Sequence, residues 1–326
     1  MEGNVNIVSL SGGKDSTATA LLAIHHGTEN LRFVFADTGN EHPLTYAYVN
    51  YLDEWLRGRT GVGIDTLRAD FSDKFERRRE YIREHWPTDG VSAAHVEEAI
   101  ELTQATGNPY LDLCILKGRF PSRKAQFCTQ ELKTRPLGAY QMEFCARDRT
   151  VWSWQGVRAD ESARRAKLRM TEDLGGFGVW AFRPLLHWKV DDVFAMHWRF
   201  GVKPNPLYTM GMNRVGCMPC INCAKDELLA ISQRFPEHID RIERWEALVF
   251  EVAKRGCATF FATRDKFDGD RESYLQSHGV RAAVKWSKTS RGGQEIRPIE
   301  NSSRHKSVFQ RLRALRVKER FYGTRH

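Results

Sequence analysis

Apolar residues in this chain fall into short runs separated by longer, mostly polar stretches. Val5 to Leu10, Leu31 to Ala36, Val62 to Leu67, Val151 to Gly156 and Val179 to Phe182 are rich in β-branched and aromatic residues. Runs of that length predict buried strands. Between most of them the spacing is helical, as in Ala18 to His26 directly after the first run. Strands alternating with helices predict an α/β fold: a doubly wound, mostly parallel sheet covered on both faces. Residues 71–108 are charged and poor in strand formers. They predict a helical excursion, because a structureless loop of that length is uncommon inside a domain. Residues 225–255 predict one or two further helices with a break at Pro236.

The composition, 41% hydrophobic and 28% charged over 326 residues, suits a globular chain with a substantial core. No apolar run approaches membrane-spanning length, and the chain does not open on a basic stretch followed by an apolar signal region. The expectation is a cytoplasmic protein with no membrane partner. Of seven cysteines, three sit in Cys217-Met218-Pro219-Cys220-Ile221-Asn222-Cys223, a spacing that points to metal ligation in a reducing compartment rather than to disulfides. Gly216 and Pro219 favour a turn that gathers the three sulfurs, and soft thiolates select zinc or an iron–sulfur cluster.

The stretch with the most chemistry is Ser11-Gly12-Gly13-Lys14-Asp15-Ser16-Thr17, between the first strand and the first helix. A glycine-rich turn that delivers a strand to a helix N-terminus is an anion site. The glycines admit phosphoryl oxygens to backbone N–H groups, the hydroxyls and Lys14 add donors, and the helix adds its positive dipole end. The spacing differs from GxxxxGK[ST], since Val8 stands where the first glycine would be. Asp15 inside an anion loop is explained most simply by Mg²⁺ bridging carboxylate and phosphate. In an open parallel sheet, ligands sit at the carboxyl ends of strands, where this loop and Asp37 both fall.

SGGKDS resembles the PP-loop of the ATP pyrophosphatases, which cleave ATP between its α and β phosphates and make adenylates. Within that superfamily the chain is most similar to the phosphoadenosine phosphosulfate (PAPS) reductase family, and there to the sulfurtransferases of DNA phosphorothioation. Further stretches in the expected order carry the resemblance: Asp37-Thr38-Gly39-Asn40-Glu41-His42-Pro43, Phe127-Cys128-Thr129-Gln130-Glu131-Leu132-Lys133, Gly156-Val157-Arg158-Ala159-Asp160-Glu161-Ser162 with Arg164, and Asn205-Pro206-Leu207-Tyr208 leading into Gly216-Cys217. The resemblance implies an adenine nucleotide alpha hydrolase-like PP-loop fold with helical additions. It places ATP, or PAPS or an adenylate, on Ser11, Gly12, Gly13, Lys14, Asp15, Ser16, Asp37, Thr38, Gly39, Arg158 and Arg164. Lys14, Asp15, Arg158 and Asp160 are then the catalytic candidates. It also implies a [4Fe–4S] cluster on Cys128, Cys217, Cys220 and Cys223, with structural zinc as the alternative. Where many iron–sulfur PAPS reductases have an adjacent cysteine pair, this chain has Phe127-Cys128, one cysteine only. Cys114, Cys145 and Cys257 lie outside any ligand-like spacing.

The organisation implied is a PP-loop domain over 1–230, carrying the excursion at 71–108 and the cysteines at 217–223. A helical extension over 231–284 and a basic segment over 285–326 follow. That last segment holds twelve Lys or Arg against three Glu and so carries the whole net charge of +9. Val308, Leu312 and Leu315 are spaced as a helical stripe, with Arg311, Arg313 and Arg316 on other faces. It is either a nucleic-acid footprint made of phosphate contacts or a helix that docks by its stripe. PAPS reductases of this group use a nucleophilic cysteine near the C-terminus, and no cysteine here follows Cys257. The function expected is therefore an ATP-dependent iron–sulfur sulfurtransferase acting on nucleic acid, DNA ahead of RNA, with a sulfur-donor protein compatible with that chemistry. The alternatives are a PAPS or adenylylsulfate reductase, and a nucleotide-binding regulatory or defence component without turnover.

Overall fold

The computed structural model describes residues 3–261 and 270–290. Six strands form one sheet in the order β3-β2-β1-β4-β6-β5. These are β1 (Val5–Leu10), β2 (Leu31–Asp37), β3 (Ile64–Arg68), β4 (Val151–Trp154), β5 (Thr171–Asp173) and β6 (Val179–Phe182). All neighbours are parallel except β5, which runs antiparallel to β6. The five apolar runs thus form the parallel sheet. The sixth strand was not legible, because Thr171, Glu172 and Asp173 are exposed and carry no apolar signal. It exists through pairing with β6 across a turn in which Gly175, Gly176 and Gly178 all have positive φ.

Both faces of the sheet are covered, as near-continuous apolar strands require. Helices α1 (Lys14–His25), α2 (Pro43–Thr60) and α8 (Val190–Arg199) lie on one face over Val8, Leu10, Phe33 and Phe35. On the other face Val5, Ile7, Val34, Val151 and Val179 pack against Leu137, Tyr140 and Phe144 of α7 (Arg135–Cys145). Helices α3 (Lys74–His85) and α4 (Ala93–Leu102) pair around Ile82, Trp86, Val96 and Ala99. Beyond the carboxyl ends of the strands lies a second large core. There α5 (Pro109–Lys117), α10 (Lys225–Arg234), α11 (Pro236–Glu251) and α13 (Val280–Ser287) enclose Leu132, Met218, Ile221 and Cys223. The cysteine segment is therefore rooted in helical packing. α12 (Arg271–His278) precedes α13, and among the described residues no helix is long and apolar enough to cross a membrane. Residues 291–326, including Arg311, Arg313 and Arg316, lie outside the described residues.

Helix α8 also reaches the first βα turn. The fully buried His197 donates from Nε2 to the Lys14 carbonyl at 2.9 Å. Burial holds this imidazole down near 4, so it is neutral in the folded protein at pH 7, whereas in the unfolded chain it takes a proton near pH 6.5. The unfolded state binds more protons between those values, so the His197 contribution falls as pH drops through this window and is constant above it. Glu246, pushed up to about 7 by burial, acts in the opposite sense, so the informative quantity is a difference between variants. The stability gap between wild type and His197→Gln is expected to shrink by about 2 kcal/mol from pH 7 to pH 5. Urea unfolding at the two pH values measures this, and an unchanged gap would overturn it.

Candidate active site

The Ser11 to Thr17 turn is held almost entirely from behind. Gly12 has φ +68°, and a Cβ there would lie 2.8 Å from Thr45 Cγ2, so both backbone and space demand glycine. Its carbonyl accepts the Asn205 amide at 3.1 Å. The Lys14 N–H donates to the Tyr208 hydroxyl at 3.0 Å. Asn205 is the N-cap of α9 (Pro206–Thr209) and Tyr208 lies within it, so this distant stretch serves to clamp the turn. Ser16 and Thr17, expected to offer hydroxyls to phosphate, instead both donate to the Gly13 carbonyl at 3.0 Å. Ser11 N–H in turn donates to Ser16 Oγ at 3.1 Å. The hydroxyls build the turn, and Thr17 is buried.

Asp15 is the centre of charge in the site. Its Oδ1 meets Arg158 Nε at 2.6 Å and its Oδ2 meets Lys14 Nζ at 3.1 Å. Arg158, only 5% exposed, also grips Asp160 through Nη1 at 2.6 and 2.7 Å. For both cations burial opposes the charge, yet each is held above its ordinary pKa, Lys14 by Tyr208 and Asp15, Arg158 by Asp15 and Asp160. Both oxygens of Asp15 are thus committed to protein cations. The carboxylate expected to bridge Mg²⁺ organises a guanidinium and an ammonium, and these residues alone do not make a magnesium site. The close approach depends on Gly156, where a Cβ would fall 2.8 Å from the Asp15 and Ser16 backbone.

Two cavities meet at this turn. The first, about 350 Å³, is lined by Ser11, Gly13, Lys14, Asp15 and Ser16 together with Cys128, Cys217 and Cys220. The second, about 570 Å³ and mainly apolar, runs under α7 past Leu10, Val34, Ala36, Leu137 and Val179 to Phe177, which is 69% exposed. Ser11 and Lys133 line both. Lys133 lies in a π-helical turn (Gln130–Thr134) between α6 (Phe127–Thr129) and α7. The neighbouring Cys217 raises its pKa, against burial, with Glu41 adding to the effect. Burial pushes the Cys217 thiol up to about 12 while Lys133 pulls the other way.

The cysteine segment is fixed by the turn after β2. Glu41 and Cys217 form an antiparallel bridge, Met218 N–H donates to the Asn40 carbonyl at 2.8 Å, and Asn40 Nδ2 donates to the Pro219 carbonyl at 3.1 Å. Thr38 donates its hydroxyl to both Glu41 oxygens at 2.8 Å and lies 3.5 Å from Cys217 Sγ. Cys223 is buried behind the first cavity.

Some expected residues sit elsewhere. Asp37 does not line the first cavity: its carboxylate accepts from Gly39 N–H at 2.8 Å and the Tyr46 hydroxyl at 2.7 Å, and it faces Arg68 at 3.4 Å. Gly39, with φ +76°, forms part of that turn. Arg164 and Arg165 are both exposed, but Arg165 lines the first cavity beside Glu161 and Arg164 does not. Arg214, also lining that cavity, is 3.3 Å from Glu227 and has no motif spacing that would have disclosed it.

Residues 5–223 match the family model of the phosphoadenosine phosphosulfate reductase domain. The chain belongs to the PAPS reductase family. It is 42% identical over 310 residues to an uncharacterized 37.8 kDa protein of Escherichia phage 186, covering 90% of this chain and 91% of that protein. It is 34% identical to the adenosine 5'-phosphosulfate reductase of Salinibacter ruber over 73 residues, 22% of this chain and 29% of that enzyme. A crystal structure of PAPS reductase from Candida auris overlaps 67% of this chain and 84% of its own at 15% identity and a TM-score of 0.38. Members of this family bind ATP or adenylate nucleotides, and the anion turn is where such a phosphate is expected here. Because Gly12 tolerates no side chain, Gly12→Val should weaken ATP binding at least about tenfold, or 1.4 kcal/mol, with the circular dichroism spectrum retained. Undiminished affinity by isothermal titration would refute that assignment of the turn.

Proposed function

We propose that the chain is an ATP-dependent, adenylating iron–sulfur sulfurtransferase, related to those of DNA phosphorothioation, whose acceptor is a nucleic acid, DNA ahead of RNA. The observation that carries this reading is the shared cavity, lined by both the anion turn and three of the four candidate ligand cysteines. In the first step an acceptor oxygen attacks the α-phosphorus, the α–β phosphoanhydride bond breaks, and pyrophosphate leaves with its charge matched by Lys14 and the turn N–H groups. In the second, a hydrosulfide-level sulfur nucleophile from a donor protein bonds to the activated acceptor atom, and AMP departs with the original oxygen. Arg158 and Asp160 hold Asp15 and Lys14 in place during the first step, and the apolar cavity under α7 accommodates the adenine.

The donor set fits an iron–sulfur cluster better than one zinc ion. A tetrahedral zinc with 2.3 Å bonds draws its sulfurs to about 3.8 Å from one another. No three of these cysteine sulfurs lie within 4.8 Å of one another, so the thiols are not gathered around a point the size of one zinc ion. Bound there, the cluster would supply a sulfur-binding Lewis-acidic centre in the cavity that the anion turn lines. Cys128, Cys217, Cys220 and Cys223 would hold it, with the half-buried Lys133 ammonium offsetting their negative charge. The similarity to adenosine 5'-phosphosulfate reductases favours a reductase as the second reading.

Anaerobically prepared protein should contain about four irons per chain and catalyse ATP–pyrophosphate exchange. Each of Cys128→Ala, Cys217→Ala, Cys220→Ala and Cys223→Ala should lower iron content, and Cys257→Ala should not. Sulfite release from adenylylsulfate or PAPS without exchange would move the reductase to first place, and stoichiometric zinc without iron would remove the cluster.

If the acceptor is nucleic acid, affinity should fall steeply with salt because each neutralised phosphate releases counterions. Changing Arg311, Arg313 and Arg316 together should weaken binding to all sequences alike and reduce the salt slope by about 3. A gel-shift series that detects neither DNA nor RNA at low salt would sink this acceptor.

A further inference from the structure

We infer that His42, Glu237 and His238 form a metal site separate from the four cysteines, suited to a divalent cation of the zinc class. One donor atom from each of the three lies within 4.8 Å of the other two. His42 is the N-cap of α2, and Glu237 and His238 lie in the first turn of α11, so two helix starts converge on the site. The imidazoles are buried, stacked with centroids 4.8 Å apart, and Glu237 is exposed. The site is therefore closed on the histidine side and open to solvent at the carboxylate.

The second observation is an orphaned ligand atom. His238 is 4% exposed, and its Nδ1 is buried without a hydrogen-bond partner. A buried ring nitrogen left bare is available to ligate a metal. A bare buried polar atom is otherwise costly, which makes an occupant the simplest account of it. Two imidazoles and a carboxylate leave positions for water and favour zinc, cobalt or nickel over calcium or magnesium.

Two features set conditions on binding. His42 Nδ1 accepts the Leu44 N–H at 2.9 Å, so ligation through Nε2 moves the ring proton to Nδ1 and gives up that cap bond. Arg241 lowers the proton affinity of both histidines and would repel a cation. It is anchored away on Asn40 Oδ1 and the Met218 carbonyl, each at 2.7 Å, and Glu237 supplies the compensating charge. An ion here would brace the starts of α2 and α11 against the loop that presents Cys217.

The test uses full-length, anaerobically purified protein, incubated with zinc and desalted. The expected outcome is about one zinc per chain, with nitrogen and oxygen neighbours but no sulfur in the zinc-edge X-ray absorption spectrum. His238→Ala, and His42→Asn, which can keep a cap acceptor, should each lower zinc affinity at least about tenfold with iron content and circular dichroism unchanged. Should either fail to fold, Glu237→Gln at the exposed ligand should still weaken binding severalfold. A sulfur shell around zinc, no zinc uptake, or undiminished affinity in all three variants would overturn the site.

Discussion

A guanidinium that is 95% buried needs an anion, and in this protein the anion is Asp15. Arg158 leaves the end of β4, Asp15 opens α1, and their 2.6 Å contact fastens the second half of the sheet to the first βα turn. Leaving one partner of a buried pair without the other costs about 3–5 kcal/mol, so the turn is not free to move independently of β4. The same contact explains why an acidic residue tolerates a place where anions are to bind. Its charge is spent on Lys14 and Arg158, and what the turn presents outward is their remaining positive potential. Gly156 follows from this, because any side chain there would push the segment after β4 away from the Asp15 and Ser16 backbone that the ion pair holds close.

The other supports of the site also run between distant parts of the sequence. Tyr208, Asn205 and His197 hold the Ser11 to Thr17 turn, while Asn40 and Glu41 hold the loop of Cys217 to Pro219. Each candidate motif is thus a ligand of another motif before it is a ligand of any substrate. An isolated SGGKDS turn could satisfy the Gly13 carbonyl through Ser16, but it would lack the Asn205 and His197 donors that hold the Gly12 and Lys14 carbonyls.

This also explains what could be read directly. The five parallel strands were legible because burial leaves mainly apolar runs, as in Val5–Leu10 with Asn6 and Ser9 its polar members, although β3 keeps only Ile64 buried. β5 was not, because an exposed edge strand is defined by its partner. The anion turn was legible as a strand–glycine–helix junction, but the inward-turned hydroxyls of Ser16 and Thr17 and the double commitment of Asp15 were not, since hydrogen-bond direction is set by tertiary neighbours. Arg164 and Arg165 are adjacent, chemically alike and both exposed, so spacing did not distinguish the one that lines the cavity. Lys133 was legible as a cation near Cys128, but its position between two cavities arises from the π-helical turn, which shifts the facing residue by part of a turn. The His42–His238 pair bridges nearly two hundred residues and has no signature in either local stretch.

The electrostatics of the two cavities follow from where burial and charge coincide. Lys14, Lys133, Arg165 and Arg214 line the first cavity against Asp15 and Glu161, so it retains a positive excess. Charges there act at low effective dielectric, where each is worth several times its value in water. The second cavity has apolar walls and meets the first at Ser11 and Lys133. A ligand that fills both must carry anionic groups at one end and a flat apolar body at the other, with a polar junction between them. That is the outline of a nucleotide. Under the function proposed above, the bond between the first and second phosphates would lie in the cavity that the cysteines also line, so that activation and delivery of sulfur would share one pocket.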